Sequence, residues 1–173
     1  LKLFFLKSLP VFLICTTLAL TGCESDKHGL TESRVFTFDV PDLKSNPVTP
    51  PKKDKDPEAW AQLAFEYQSK QMWPQCIYCY TKSCELDPTK KGYWNSLGTA
   101  YQFSDKMENA RNAFLRSHEL DVYEIGNMES IGFADTSMGL HDAEALRFYL
   151  MALSIDPTHK GAWDNLVGVL HRL

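Results

Sequence analysis

The chain has 173 residues, 44% of them hydrophobic and 23% charged, proportions that exclude collagen-like, low-complexity and multi-span membrane classes. Eighteen Lys and Arg against 22 Asp and Glu leave a net charge of −4, so there is no basic surplus to neutralise phosphates and nucleic acid is not an expected partner. Five cysteines in this length fall short of a disulfide scaffold.

Residues 1–22 read as a secretory leader. Lys2 and Lys7 supply positive charge, an uncharged run follows from Leu9 to Leu20, and Thr21-Gly22 gives a small-residue exit before Cys23. The run is shorter than the roughly 20 apolar residues that span a bilayer. Leu20-Thr21-Gly22-Cys23 resembles the lipobox of bacterial lipoproteins, which implies cleavage before Cys23 and acylation at that residue. Each buried CH₂ contributes about 0.8 kcal/mol, so several acyl chains such as palmitate hold firmly where one holds marginally. In that family Glu24, in place of an aspartate, implies the outer membrane facing the periplasm. Leu1 in place of Met implies an alternative start codon or a missing upstream piece.

Residues 23–56 read as a linker, polar and rich in Pro and Lys, ending in Pro50-Pro51-Lys52-Lys53-Asp54-Lys55-Asp56. Prolines favour extended, semi-rigid geometry. Val35 to Val40 interrupts this, because Phe36, Phe38 and Val40 alternate with polar residues as in a short strand that would lie on the domain or on a partner.

A repeat occupies residues 57–173. Trp60-x-x-Leu63-Ala64-x-x-Tyr67 is answered by Trp94-x-x-Leu97-Gly98-x-x-Tyr101, 34 residues on, and Cys76…Tyr80…Ser83…Pro88 by Ala110…Phe114…Ser117…Val122. A third unit reads Met128-x-x-Ile131-Gly132-x-x-Asp135, then Ala145…Tyr149…Ala152…Pro157, with one extra residue between Ser137 and His141. A fourth begins with Trp163-x-x-Leu166-Val167-x-x-Leu170. Spacing at i, i+3, i+4 and i+7 puts the signature residues on one helix face. Asp56-Pro57 supplies an N-cap and a first-turn proline, while Asp87-Pro88 and Asp156-Pro157 stop helices. The pattern predicts helices at about 58–70, 74–86, 91–103, 106–120, 126–137, 142–155 and 160–172.

These motifs resemble the tetratricopeptide repeat. The resemblance implies an all-α, right-handed solenoid of helix-turn-helix units at 57–90, 91–124 and 125–159, with a terminal capping helix at 160–173. Unit three departs from the pattern by carrying Met128 in place of an aromatic and Asp135 in place of tyrosine. Unit two departs by carrying Val122 in place of proline.

Cys76 and Cys79 stand in a C-x-x-C at the start of a helix, where the dipole lowers a thiol's pKa. Three readings stay open: small core residues, a disulfide among Cys76, Cys79 and Cys84, or a redox-active pair. His28, His118, His141, His159 and His171 stand singly, with no ligand spacing to Cys or a carboxylate on a shared face, so no metal or other cofactor is expected. No nucleophile elbow, phosphate loop or catalytic carboxylate pair is recognisable, so no catalytic residue and no small-molecule substrate are expected.

Binding then falls to the surface. In the repeat family the first helices line a concave peptide groove. Carried over, this implies Ala61, Phe65 and Gln68 in unit one, Asn95, Thr99 and Gln102 in unit two, Glu129, Phe133 and Thr136 in unit three, and Asp164 and His171 on the last helix. Members that clamp a carboxylate tail use Lys and Arg where this chain has Ala61 and Glu129, so acidic tails are poor candidates, while Phe65 and Phe133 offer apolar anchors. The implied function is a membrane-tethered periplasmic scaffold binding another envelope protein or peptide. Lipobox plus repeats resembles lipoproteins of pilus secretin assembly, cell-wall hydrolase regulation and outer-membrane assembly. The alternative is a redox-active or disulfide-dependent envelope protein using Cys76 and Cys79.

Overall fold

The computed structural model describes residues 36–139 and 141–173. The leader and Cys23 therefore lie outside the described residues. Two compact units divide the chain at 36/37, and Thr37–Leu173 is the unit described below.

Among the described residues seven helices follow one another: α1 Pro57–Ser69, α2 Trp73–Leu86, α3 Lys91–Phe103, α4 Met107–Leu120, α5 Ile125–Met138, α6 Asp142–Ile155 and α7 Lys160–Leu170. Each packs chiefly on its neighbours in sequence, so the array is a solenoid of hairpins α1/α2, α3/α4 and α5/α6 closed by α7. There is no strand among the described residues, and the alternating segment at 36–40 does not form one. No described helix is long and apolar enough to cross a membrane.

Asp56 caps α1, its carboxylate accepting the Glu58 N–H at 3.0 Å, with Pro57 in the first turn. Trp60, Ala64, Leu97, Gly98, Tyr101, Ile131 and Gly132 are buried, as the i, i+3, i+4, i+7 spacing requires. The fourth unit differs, because Trp163 is part-exposed where no further described helix covers it.

Polar groups repeat with the same period as apolar ones. The Ser83 hydroxyl donates to the Pro57 carbonyl at 2.9 Å, and Ser117 donates to the Lys91 carbonyl at 3.1 Å, tying the end of each second helix to the start of its first. Indole N–H groups of Trp60, Trp94 and Trp163 donate to the carbonyls of Asp54, Pro88 and Pro157, each six residues back, at 2.6, 2.8 and 2.9 Å. Asp87, Asp121 and Asp156 each accept a backbone N–H two residues on, which closes the inter-unit turn. Val122 is tolerated in place of proline because Asp121 still makes this turn.

The stretch before α1 is attached to the helices. Phe38 stacks on Tyr101 and tilts against Trp94, with centroids 6.2 and 5.6 Å away. Asp39 pairs with Lys106 and takes the Asn109 side-chain oxygen on its N–H, and the Asn46 carbonyl accepts from Gln75 at 3.4 Å. This stretch is therefore tied to α2 through Gln75, to α3 through Trp94 and Tyr101, and to α4 through Asn109.

Candidate functional site

The spacing 58, 61, 65, 68 follows one stripe of α1. Ala61 and Phe65 open with Glu58, Tyr93 and Ser96 onto a depression of about 380 Å³ between α1 and α3. Phe65 is 64% exposed and Phe133, on α5, 40%, so neither ring packs beneath a neighbouring helix. Exposed phenyl rings keep about 25 cal/mol per Å² of apolar surface available for a partner to bury.

The other implied positions are distributed along this face. Gln68 accepts the Tyr80 hydroxyl at 3.3 Å and is held in place. Thr99 turns its hydroxyl back to the Asn95 carbonyl at 3.1 Å, and Thr136 does the same to Gly132 at 2.6 Å, leaving both oxygens as acceptors only. Asn95 and Gln102 are half-buried on α3, Asp164 is exposed on α7, and His171 is exposed just past its end. Glu129 faces His159 across the α5–α7 junction at 3.4 Å. Of these positions, Ala61 and Phe65 share the depression between α1 and α3.

Glu58 and Tyr93 carry chemistry that the sequence reading missed. Glu58 accepts both the Lys90 ammonium at 2.9 Å and the Tyr93 hydroxyl at 2.8 Å. The Lys90 hydrogen bond, then that of Tyr93, holds the Glu58 carboxyl below the usual carboxylate range. Lys90 is thereby committed to an internal carboxylate, and Lys91 likewise to Asp121 and Glu124. Position 58 lies one turn before Ala61 on the same stripe, so extending the i, i+3, i+7 pattern backwards would have found it.

Cys76, Cys79 and Cys84 are free, buried thiols. Burial pushes Cys76 and Cys79 up to about 12, Cys79 adding to the effect on Cys76, and raises Cys84 further. Desolvation thus overrides the helix dipole that motivated the redox reading. One expectation needs correction. His141 does not stand alone: its Nδ1 lies 2.7 Å from Glu144, one turn along α6.

No family model and no curated protein sequence matches the chain. Solved structures do. The first TPR of Spaghetti (RPAP3) bound to the HSP90 peptide SRMEEVD is similar with a TM-score of 0.63 at 19% identity, over 68% of this chain and 93% of that one. MamA is similar with a TM-score of 0.64 at 24% identity, over 75% of this chain and 71% of that one. The Yersinia enterocolitica type III secretion chaperone SycD in complex with a peptide of the translocator YopD is similar with a TM-score of 0.60 at 16% identity, over 66% of this chain and 92% of that one. These likenesses show the fold, a tetratricopeptide-type helical solenoid.

Proposed function

We propose that the protein is an adaptor that grips a segment of another protein on its first-helix face. The observation that carries this is the exposure of Phe65 and Phe133 on the face along which the repeat sets its non-packing positions. Two similar structures are complexes with peptides, SRMEEVD in one and a YopD peptide in the other, which supports peptide binding as the use of such a face. The charge pattern here favours a different ligand from an acidic tail. Glu58 and Glu129 line the face, and the neighbouring Lys90 is already neutralised by Glu58. A segment with apolar side chains and neutral or basic flanks fits this row.

The lipobox-like Leu20-Thr21-Gly22-Cys23 supports a lipid tether and an envelope location, with the partner held near the membrane. Replacing Cys23 with serine should release the protein into the soluble fraction; continued membrane residence would refute lipidation. For the face itself, Phe65→Ala with Phe133→Ala should abolish co-purification of the partner while far-ultraviolet circular dichroism stays unchanged. Undiminished recovery would refute the assignment.

A further inference from the structure

Two of the third unit's departures from the repeat, Asp135 and the extra residue, meet at one point. Asp135 stands where Tyr67 and Tyr101 stand in units one and two. The left-handed turn residues Gln71 and Asp105 precede α2 and α4 by two positions, whereas Gly139 precedes α6 by three. The extra position makes His141 the N-cap of α6, with Glu144 a turn further on. As a result Asp135, His141 and Glu144 bring one ligand atom each to within 4.8 Å of one another.

Asp135 is wholly buried, and its two oxygens are treated differently. Arg111 donates through Nε to Oδ1, while Oδ2 is buried with no hydrogen-bond partner. A carboxylate oxygen removed from water and left without a donor is costly, and native proteins seldom leave one so. Asp135 and Glu144 bring two carboxyl groups to the cluster, of which Arg111 pairs with Asp135 alone. A divalent cation would give Oδ2 the partner it lacks.

The geometry points to a site for one first-row divalent cation, Zn²⁺ fitting best, held by Asp135, His141 and Glu144. An imidazole beside carboxylates selects such ions over Mg²⁺ and Ca²⁺, which take oxygen shells. Three protein ligands leave a fourth position for water or for a side chain of a bound partner. Bonds of about 2.0–2.2 Å set tetrahedral ligand atoms about 3.3 Å apart. His141 and Glu144, 41% and 47% exposed, can rotate inward to meet this while Asp135 stays fixed by Arg111. Arg111 then serves as the outer hydrogen-bond partner that orients a ligating carboxylate. The ion would clamp the end of α5 to the start of α6, bracing the hairpin that lacks the tyrosine of its neighbours.

The test uses the full chain without a polyhistidine tag, stripped with a chelator and titrated calorimetrically with Zn²⁺, with Mg²⁺ and Ca²⁺ in parallel. The site predicts one equivalent of Zn²⁺ bound with micromolar or tighter affinity, a rise in melting temperature on loading, and negligible heat from Mg²⁺ and Ca²⁺. His141→Ala and Glu144→Gln should each weaken Zn²⁺ binding by more than about 100-fold, since losing an outer partner alone costs roughly 10–100-fold. Asp135→Asn also breaks the buried pair with Arg111, so the two partly exposed positions carry the test. Absence of Zn²⁺ uptake overturns the proposal. So does uptake left intact by both variants.

Discussion

A Cβ atom on Gly98 would lie 2.6 Å from Cε1 of Phe114, and one on Gly132 would lie 2.6 Å from Cε1 of Tyr149. In both units the ring of the second helix rests directly on the backbone of the first. Because each ring is fully buried and hemmed in, it cannot swing away. Gly98→Ala and Gly132→Ala should therefore each destabilise the domain by about 1–3 kcal/mol through overpacking, against the gain alanine normally brings to a helix. Urea unfolding with an unchanged slope checks this; a stabilised Gly98→Ala would show that the contact is looser than described.

The turn inside each hairpin uses the left-handed region at the same phase: Gln71 with φ 57°, Asp105 with φ 59° and Gly139 with φ 67°. Only the last of these is glycine. A side chain in this region costs about 1–2 kcal/mol, part of which is offset by the greater freedom of glycine in the unfolded chain. Gln71→Gly should raise stability by up to about 1 kcal/mol, read as a higher melting temperature, and Gly139→Ala should lower it.

His118 sits with its ring edge-on to Phe148, centroids 5.8 Å apart, and its Nδ1 is buried without a hydrogen-bond partner. Burial pushes its pKa below 6.5, against the smaller opposing pull of Asp121 and Glu119. With the folded value depressed, the folded state stays neutral while the unfolded chain takes up a proton. The stabilising contribution is therefore complete above about 6.5 and is lost as pH falls through the folded-state value. Urea midpoints should drop between about pH 7 and pH 5, and His118→Phe should flatten that part of the profile.

The thiols of Cys76, Cys79 and Cys84 should resist alkylation in the native protein at pH 8, because burial keeps the nucleophilic thiolate scarce. All three should label once denaturant is added, as seen by peptide mass mapping. Rapid native labelling of Cys76 or Cys79 would restore the redox reading.

Much of the solenoid was legible because its determinants are local. Trp60, Trp94, Ala64, Gly98 and Gly132 recur at a fixed step, and helix ends are written in Asp56-Pro57 and Asp87-Pro88. All seven helices fall within about two residues of their expected bounds. What escaped the reading depends on contacts between elements. Glu58 acquires Lys90 and Tyr93 only when α3 stacks on α1. Phe38 shows its role only when Tyr101 and Trp94 are in place. His141 meets Asp135 through a single inserted residue that no periodic pattern describes.

The account rests on the first-helix face being the gripping face. Placing a photo-crosslinking amino acid at Phe65, Thr99 or Phe133, and separately at the exposed Arg147 on α6, measures this in intact cells. The three face positions should yield adducts with one and the same protein, and position 147 should yield none with it. Adducts with that protein from position 147, with none from 65, 99 or 133, would contradict the account.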